Sequence, residues 1–496
     1  MKRNLLKYIS LFALSCSLPA QAQEVFAEDA TSYRAEMGGT LSSGDYAPFW
    51  IASNRYGVVP LVPDNAYLKA GVFHRQHFGE GFYWGAGLDL VAAVPRYKHV
   101  YIHQFYAELG YKWIALSLGS KERYQSMVDP FLSSGDMILS NNARPIPEVN
   151  ICVPEYTLIP RTKGWLQVKG NFSIGKSLDS GFLDEVYADN YTFVKDVLWH
   201  HKALSVQLKD TEGDFPFSAT VGAQHIAQWG GTSTDPKLGE QPHSFVDFLR
   251  VVVGSRGGDN SSASAQKNVL GSHHISYDFS LTYAAKDWKV KGYYQHLCYD
   301  KSGTEFRNGM DGLWGIQLDF PEFSWLDRFV FEFVTTRNQS GPFHYIWFDR
   351  DNHPGRGGGG DNYYNNEEYV TGNSYFNRGV GSPLLPAPEY NADGKPGFQN
   401  NRIKDWHIGF QGKFSENLRY RMLLTVMNMW GTATQPLLQK KDGVSLMANV
   451  IYTHPKLTGW QFSGTVGADT GDVFGKKNTG FELKITKAGI IGKIDN

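Results

Sequence analysis

Alternation of apolar and polar residues with a period of two is the feature that most restricts the fold of this chain. In WQFSGTVGAD (460–469), apolar residues such as Trp460 occupy one face and polar residues such as Asp469 occupy the other. FELKIT (481–486) and ISYDFSLTY (275–283) repeat the pattern. Successive side chains of a β-strand point to opposite faces, so each segment predicts a strand with one apolar and one polar face. The chain is therefore predicted to be all-β.

Segment length and connection length favour a membrane barrel over a soluble sandwich. The alternating segments are about 9–12 residues long, which suits a tilted strand that crosses a bilayer. They come in pairs with short joints, as in KFSENL (413–418) and HPKLTG (454–459). Outside residues 1–22, no segment reaches the roughly 18 consecutive apolar residues that a spanning helix needs. The mean hydropathy of −0.36 also argues against a bundle of membrane helices. We expect a transmembrane antiparallel β-barrel with short periplasmic turns and long extracellular loops.

Aromatic and charged residues fit the same interpretation. Aromatic residues that fall at strand ends, where membrane barrels carry a girdle, are Tyr283, Trp288, Trp406, Trp430 and Trp460. Charged residues on the polar faces, which a wet lumen would accommodate, are Lys289, Lys291, Arg419, Arg421, Glu482 and Lys484. The formal net charge of −1 gives no indication of a nucleic-acid partner.

The N-terminus is typical of a secretory signal. A basic start precedes a short apolar run, and Ala20-Gln21-Ala22 is a small-x-small cleavage site. We expect a signal peptide over 1–22 and a single barrel domain over 23–496; a lipoprotein signal ending at Cys16 is the alternative. Beyond the signal, the spacing of Cys152 and Cys298 gives no argument for a disulfide, and two isolated buried thiols are the simpler interpretation.

Three long connections interrupt the alternation, at about 120–163, 228–271 and 341–400. The second contains FVDFLRVVVG (245–254), whose spacing predicts a short helix. Connections of this length are usually functional or disordered, so binding residues are sought in them first.

Three stretches give the chain a specific resemblance: LSNNARPIPEV (139–149), APFWIASNRYGVVP (47–60) and VLGSHHISYDFSL (269–281). Together with the signal and the barrel pattern, they resemble the Wzi family of capsule-assembly outer-membrane proteins, in the style of its Bacteroidetes members. The resemblance covers nearly the whole mature chain. Two features depart from the family or from membrane barrels in general. The strand pattern begins near Tyr33, without the periplasmic helical segment of enterobacterial members, and the C-terminus lacks the terminal aromatic common in such barrels.

The resemblance implies a monomeric barrel of 18 strands in the outer membrane, inserted by the barrel-insertion machinery. It implies a lectin-like role: binding exported capsular polysaccharide and helping to assemble or anchor it at the cell surface. Outer-membrane lipid and lipopolysaccharide are the expected surroundings. The resemblance implies no catalysis, and we expect no metal and no cofactor.

The first of those stretches is stiff, polar and unsuited to a central strand. The two prolines lack an amide hydrogen, and the asparagines turn easily. The residues assigned to this motif are Ser140, Asn141, Asn142, Arg144, Pro145 and Pro147. Arg144 carries five donors and a permanent charge. Facing inward, it would brace a loop against wall carboxylates or grip an anionic polymer, and the sequence leaves both open.

HYIWFDRDNHPGRGGGGDNYY (344–364) is the richest candidate for sugar contact. It combines flat aromatic faces, hydrogen-bond acceptors and arginines that could hold acidic sugars bidentately. Its candidate residues are Tyr345, Trp347, Asp349, Arg350, Asp351, Arg356, Tyr363 and Tyr364. The structural alternative is a loop that folds inward and plugs the pore. Pro354 stands where a calcium loop needs glycine, so a calcium site is disfavoured, and GRGGGG (355–360) lacks the strand and helix of a nucleotide site.

The remaining motifs carry little chemistry. The adjacent pairs His200–His201 and His273–His274 lack the spacing of a helical zinc site, and neighbours on a strand face opposite ways. No G-x-S-x-G elbow occurs. Besides the polysaccharide-binding barrel, two alternatives stay open: a porin or solute channel, and a barrel lipase.

Overall fold

The protein forms one closed antiparallel barrel of 18 strands. The computed structural model describes residues 29–299, 301–321, 325–339, 361–475 and 477–493. Numbered in chain order, the barrel strands are β1 Ala30–Ser43, β2 Asn65–Phe78, β3 Phe82–Val94, β4 Val100–Tyr111, β5 Ile114–Ser120, β6 Glu148–Leu158, β7 Leu166–Lys176, β8 Leu198–Lys209, β9 Phe217–Trp229, β10 Ser272–Ala284, β11 Lys289–Cys298, β12 Gly312–Asp319, β13 Arg328–Thr335, β14 Lys404–Ser415, β15 Leu418–Gly431, β16 Pro436–Thr453, β17 Trp460–Gly471 and β18 Asn478–Lys493.

The first and last strands close the barrel. Ala35 of β1 lies opposite Ala70 of β2 and opposite Lys487 of β18, so β1 is paired on both sides. Closure leaves no unpaired strand edge, which a sheet in lipid requires. The predicted fold class and the strand number implied by the family resemblance are both confirmed. In the described part of the chain, no helix is long and apolar enough to cross a membrane.

Side chains alternate between lipid and lumen as predicted. On β17, Val466 is exposed on the outside, whereas Thr465 and Asp469 are buried in the lumen. Outward aromatic rings meet in pairs near the short turns; ring centroids are 4.3 Å apart for Phe82 and Tyr111 and 4.9 Å apart for Phe217 and Tyr283. The predicted lumenal charges point inward as well. Apolar residues therefore face lipid, and polar residues line the lumen.

The two ends of the barrel differ in their connections. The end at which β1 begins and β18 ends has short connections such as 112–113 and 416–417, and we call it the turn end. The opposite end, the loop end, carries 44–64, 121–147, 230–271 and 336–403. By the usual asymmetry of outer-membrane barrels, the loop end faces the cell exterior.

One predicted loop boundary is wrong. The loop expected at 120–163 ends at residue 147, because Glu148–Leu158 form β6. Pro154 obscured this strand in the sequence: it lies where the β6–β7 pairing is irregular, between Val153 and Thr157. A proline is tolerated at such a bulge because its missing amide hydrogen interrupts no regular pairing.

Helices are short and belong to the loops. They are α1 Phe49–Ala52, α2 Ser180–Tyr187, α3 Phe245–Val253, α4 Ala263–Lys267 and α5 Lys301–Thr304, with a 3-10 turn at Pro388–Tyr390. The predicted helix at 245–254 is confirmed as α3. Ser244 and Asp247 form a capping box at its start, and Gly254 ends it with a φ of +64°.

Parts of three loop-end connections fold into the lumen. We call residues 44–64, 121–147 and 361–403 together the plug. Its apolar core packs on inward wall residues such as Leu313, Val330 and Leu423. The all-polar lumen expected from the sequence is therefore wrong at this level of the barrel, because these wall positions meet folded chain instead of water. Cys152 and Cys298 are buried free thiols.

Candidate functional site

The motif at 140–147 is the point where the three plug segments meet. The Ser140 backbone nitrogen donates to the Val380 carbonyl at 2.9 Å, and its hydroxyl donates to the Gly381 carbonyl at 2.7 Å. The Asn142 amide donates to the Gly379 carbonyl at 3.1 Å. These bonds join the segment 121–147 to the segment 361–403.

The asparagines complete the junction with the first plug segment. Asn142 Oδ1 accepts a bond from the Asn54 backbone nitrogen at 3.1 Å, and the Tyr56 nitrogen donates to the Asn141 carbonyl at 2.6 Å. The Asn141 amide donates to the Pro130 carbonyl at 3.1 Å within its own segment. Asn141 and Asn142 are almost fully buried. Buried amides need such partners, so the sequence NN at this point is explained by backbone groups of three converging loops.

Glu332 of β13 fixes the plug to the wall. Its carboxylate accepts bonds from the hydroxyls of Ser133 (2.7 Å) and Ser134 (2.6 Å) and from the Ser134 backbone nitrogen (2.7 Å). The Tyr293 hydroxyl of β11 donates to the same carboxylate at 2.6 Å. An ion pair, Arg328 to Asp129 at 2.7 Å, links the wall and the plug nearby. The plug is thus held by charged groups that are buried with it.

Arg144 lies at the outer surface of this junction and contacts aromatic rings rather than the wall carboxylates that the sequence suggested. Its guanidinium carbon is 4.2 Å from the ring centroid of Tyr101 and 3.8 Å from that of Phe376. Such contacts hold the planar guanidinium without neutralising its charge. Arg144 is half-buried, so its charge is positioned but still reachable.

Arg144 forms one wall of an open cleft of about 670 Å³ at the loop end, which we call the rim cleft. The cleft combines charged side chains with aromatic rings; its charged residues include Arg96, Lys98, Arg144, Arg378 and Glu389, and its rings include Tyr97, Tyr101 and Phe182. Pro145 also lines it, while the Pro147 carbonyl accepts a bond from Lys176 at 3.1 Å.

The cations of the rim cleft differ in how many contacts they already make with other protein groups. Arg378 is occupied internally: it pairs with Glu389 at 3.0 Å and donates to the Ala52 carbonyl at 2.8 Å. Arg96 donates to the Val58 carbonyl at 3.2 Å and also lies over the Tyr101 ring, 4.9 Å from its centroid. Burial and the like charges of Arg144 and Arg378 lower the pKa of Arg96 to about 10. An anion in the cleft would relieve that repulsion.

Asp179, the residue before α2, is the acidic neighbour of Arg144. Burial raises the pKa of its carboxyl to about 6, although the Phe376 backbone nitrogen donates to it at 3.2 Å and Arg144 favours the charged form. Protonation near pH 6 removes a negative charge beside Arg144, so the potential of the cleft becomes more positive below that pH.

Most of the predicted sugar-contact patch lies outside the described residues: Tyr345, Trp347, Asp349, Arg350, Asp351 and Arg356. The same holds for the calcium and nucleotide patterns within it. The two remaining candidates of the patch, Tyr363 and Tyr364, lie in the plug core and are almost fully buried. The Tyr363 hydroxyl accepts from Asn308 at 2.9 Å and donates to the Gln339 carbonyl at 3.2 Å. These two rings contact protein on all sides and offer no face to a sugar here.

Two further polar clusters were invisible in the sequence because strand pairing creates them. His225 Nε2 and His273 Nδ1 are 2.7 Å apart across β9 and β10. His225 belongs to neither of the adjacent histidine pairs in the sequence. Asp89, His103 and Glu122 form a set with metal-ligand spacing. The Lys69 ammonium lies 3.1 Å from Asp89 and 2.6 Å from Glu122, so a protein cation already occupies their centre.

The rim cleft was missed for the same reason. Its members come from 95–102, 144–145, 178–182 and 375–378, and no local spacing links them. Of the predicted residues, Arg144 and Pro145 take part. Aromatic residues next to Arg or Lys in short loop-end segments, as in Arg96-Tyr97-Lys98, are the signal that could have found it.

Comparison with known proteins shows which family and which solved structures the chain is similar to. The family model described as "Capsule assembly protein Wzi" matches residues 64–385, more than half of the sequence. The curated proteins yield no match. Among solved structures, Wzi of Escherichia coli, described as a carbohydrate-binding β-barrel involved in group 1 capsule assembly, is 12% identical, with a TM-score of 0.55 over 91% of this chain and 83% of that one.

OccK5 (OpdH) and OccK3 (OpdO) of Pseudomonas aeruginosa are more distant in fold. OccK5 is 8% identical, with a TM-score of 0.47 over 94% of this chain and 99% of that one. OccK3 is 9% identical, with a TM-score of 0.47 over 93% and 96%. At these identities the solved structures bear on the fold alone.

Proposed function

Because the chain belongs to the capsule assembly protein Wzi family and is an outer-membrane barrel, we propose that it binds exported capsular polysaccharide at its outer face. The bound polymer is held at the cell surface without chemical change. The rim cleft is the contact site, and polymers with acidic sugars are the preferred ligands.

The observation that carries this proposal is the composition of the rim cleft. Arg144 and Arg96 share the ring of Tyr101, and Lys98 stands at the rim, so cationic groups alternate with aromatic faces. Tyr97 and Phe182 form a further edge-on pair with centroids 5.5 Å apart. A guanidinium binds a carboxylate through parallel hydrogen bonds, and a neighbouring ring offers the apolar face on which a sugar can stack.

The plug favours binding over passage. It packs against inward residues of many strands, and the wall carboxylate Glu332 holds it at Ser133 and Ser134. A solute channel needs a continuous wet path along the lumen. The described plug segments instead pack against inward residues of the wall, which supports a platform for polymer at the surface more than a porin.

The proposal is tested by capsule retention in cells. The gene is deleted and replaced by the parent, by the double variant R96Q/R144Q, or by the control R307Q. Arg307 lies at the same loop end, outside the rim cleft, and pairs with Glu305 at 2.7 Å. Polymer attached to cells and polymer shed into the medium are measured at equal surface levels of each barrel.

We expect deletion and R96Q/R144Q to shift polymer from cells to medium, while R307Q behaves like the parent. Attached polymer that stays at the parent level in the deletion strain would refute the function. A normal result for R96Q/R144Q alongside a defect in the deletion strain would refute the site.

A further inference from the structure

The loop at 230–271 is tied to the plug at two points, where the Tyr369 hydroxyl donates to the Gly230 carbonyl at 3.1 Å and the Ser262 hydroxyl donates to Glu368, but its helix α3 lies over the outside of the barrel. Strand residues that point outward and alternate with lumenal ones include Phe172 of β7, His200 of β8 and Trp229 of β9. Phe248 of α3 lies on them, with ring centroids 5.6 Å from His200 and 5.7 Å from Trp229. Val251 of α3 is buried in the same cluster. Helix α3 is therefore packed against the lipid-facing wall at the loop end.

The face of α3 turned away from the barrel is also apolar. The exposed fractions are 72% for Phe245, 56% for Val246, 48% for Leu249 and 75% for Val253. The polar residues Asp247 and Arg250 pair with each other at 2.7 Å along the helix. A helix with one face on a membrane barrel and an exposed apolar face beside it has the character of an interfacial helix.

An apolar groove of about 800 Å³ runs along the wall below the C-terminal end of α3. Outward residues of neighbouring strands and the helix end line it, among them Ile151, Val168, Phe172, Leu204, Ile275 and Val253. Ala223 of β9 also lines it and is exposed, so its small side chain leaves the groove deep. The next outward residues of β8 after Leu204, Val206 and Leu208, are exposed and belong to the lipid-facing wall.

We propose that this groove holds an acyl chain of an outer-leaflet lipid, with α3 lying in the interface of that leaflet as a shelf above it. Lys202 places a positive charge at the top of the groove and donates to the Val252 carbonyl of α3. The groove offers hydrocarbon contact below and a cation above, which matches a lipid chain beneath a polar headgroup. This inference requires the barrel in its membrane and is independent of polysaccharide binding.

Native mass spectrometry of the full chain, extracted from outer membranes in mild detergent, tests it. The variant Ala223→Trp fills the groove from an exposed position. Ala219→Trp is the matched control, because Ala219 also points outward on β9 but lines a separate dent with no helix above it. Val253→Asp is a second groove variant, at an exposed helix position where a charge is compatible with folding.

We expect the parent and Ala219→Trp to retain a lipid adduct of defined mass. Ala223→Trp and Val253→Asp should lower the adduct-bearing fraction about tenfold. Heat-shifted gel mobility confirms that each variant is a folded barrel. Equal adduct in the parent and both groove variants, or no adduct in the parent, would overturn the proposal.

Discussion

Replacing Glu332 with glutamine should release the plug without unfolding the barrel. The carboxylate accepts three bonds from Ser133 and Ser134 of the plug and one from Tyr293 of the wall, all between 2.6 and 2.7 Å. A glutamine amide is neutral: its oxygen can keep the two Ser134 bonds and its NH₂ group can donate to the Ser133 and Tyr293 hydroxyls, so all four bonds remain possible but lose the charge of their acceptor. A hydrogen bond to a charged acceptor is worth about 1.5–3 kcal/mol and one between neutral groups about 0.5–1.5 kcal/mol, so weakening the three bonds to the plug by about 1 kcal/mol each should cost the closed plug about 3 kcal/mol.

A loss of about 3 kcal/mol raises the ratio of released to closed plug by about a hundredfold. Single-channel recording in planar bilayers measures this ratio directly. The parent should conduct rarely, and Glu332→Gln should open often and stepwise. Asn449→Ala is the control, because Asn449 also points into the lumen but donates to Ser463 and Thr465 of the adjacent wall strand. A folded Glu332→Gln barrel that conducts no more than Asn449→Ala would refute the anchoring role.

Three further outcomes are expected. Asn142→Ala removes the bonds to Gly379 and Asn54 and should lower the free energy of plug unfolding by about 1–3 kcal/mol, measured by thermal denaturation. The raised pKa of Asp179, about 6 against 3.8, means that its contribution to stability is full below pH 3.8 and is lost as pH rises through 6. Asp179→Asn should therefore flatten the pH dependence of the unfolding temperature between these values and strengthen anion binding at pH 7. Cys152 and Cys298 should react with a maleimide only after unfolding, with no mobility change on reduction; protection that persists after denaturation without reductant would show a disulfide.

The barrel was predictable because its signal is local. Each strand carries its own alternation of lipid-facing and lumen-facing residues, so segments such as 460–469 identify themselves without knowledge of their partners. The strand number came from family resemblance and not from the pattern, since β6 is hidden by Pro154 and by an irregular pairing.

The site was only partly predictable because its contacts are distant in sequence. The motif at 140–147 was recognised as stiff and polar, but its acceptors at 379–381 could not be read from spacing. Arg144 was expected to face inward, but its two ring partners, Tyr101 and Phe376, are distant from it in sequence and could not be identified from spacing. The direction of the loop at 230–271 was also undetermined, since an apolar helix face fits a lumenal core and a lipid-facing wall equally well.

Direct binding of purified protein to polymer tests the central claim. Capsular polysaccharide from the same cells is immobilised, and the retained fractions of the parent, R96Q/R144Q and R307Q barrels are measured in detergent at low and high salt. The rim cleft predicts that the parent and R307Q bind in a salt-sensitive manner, and that R96Q/R144Q binds about tenfold more weakly although it is still a folded barrel. Equal retention of R96Q/R144Q and the parent, or no retention of the parent, would contradict it.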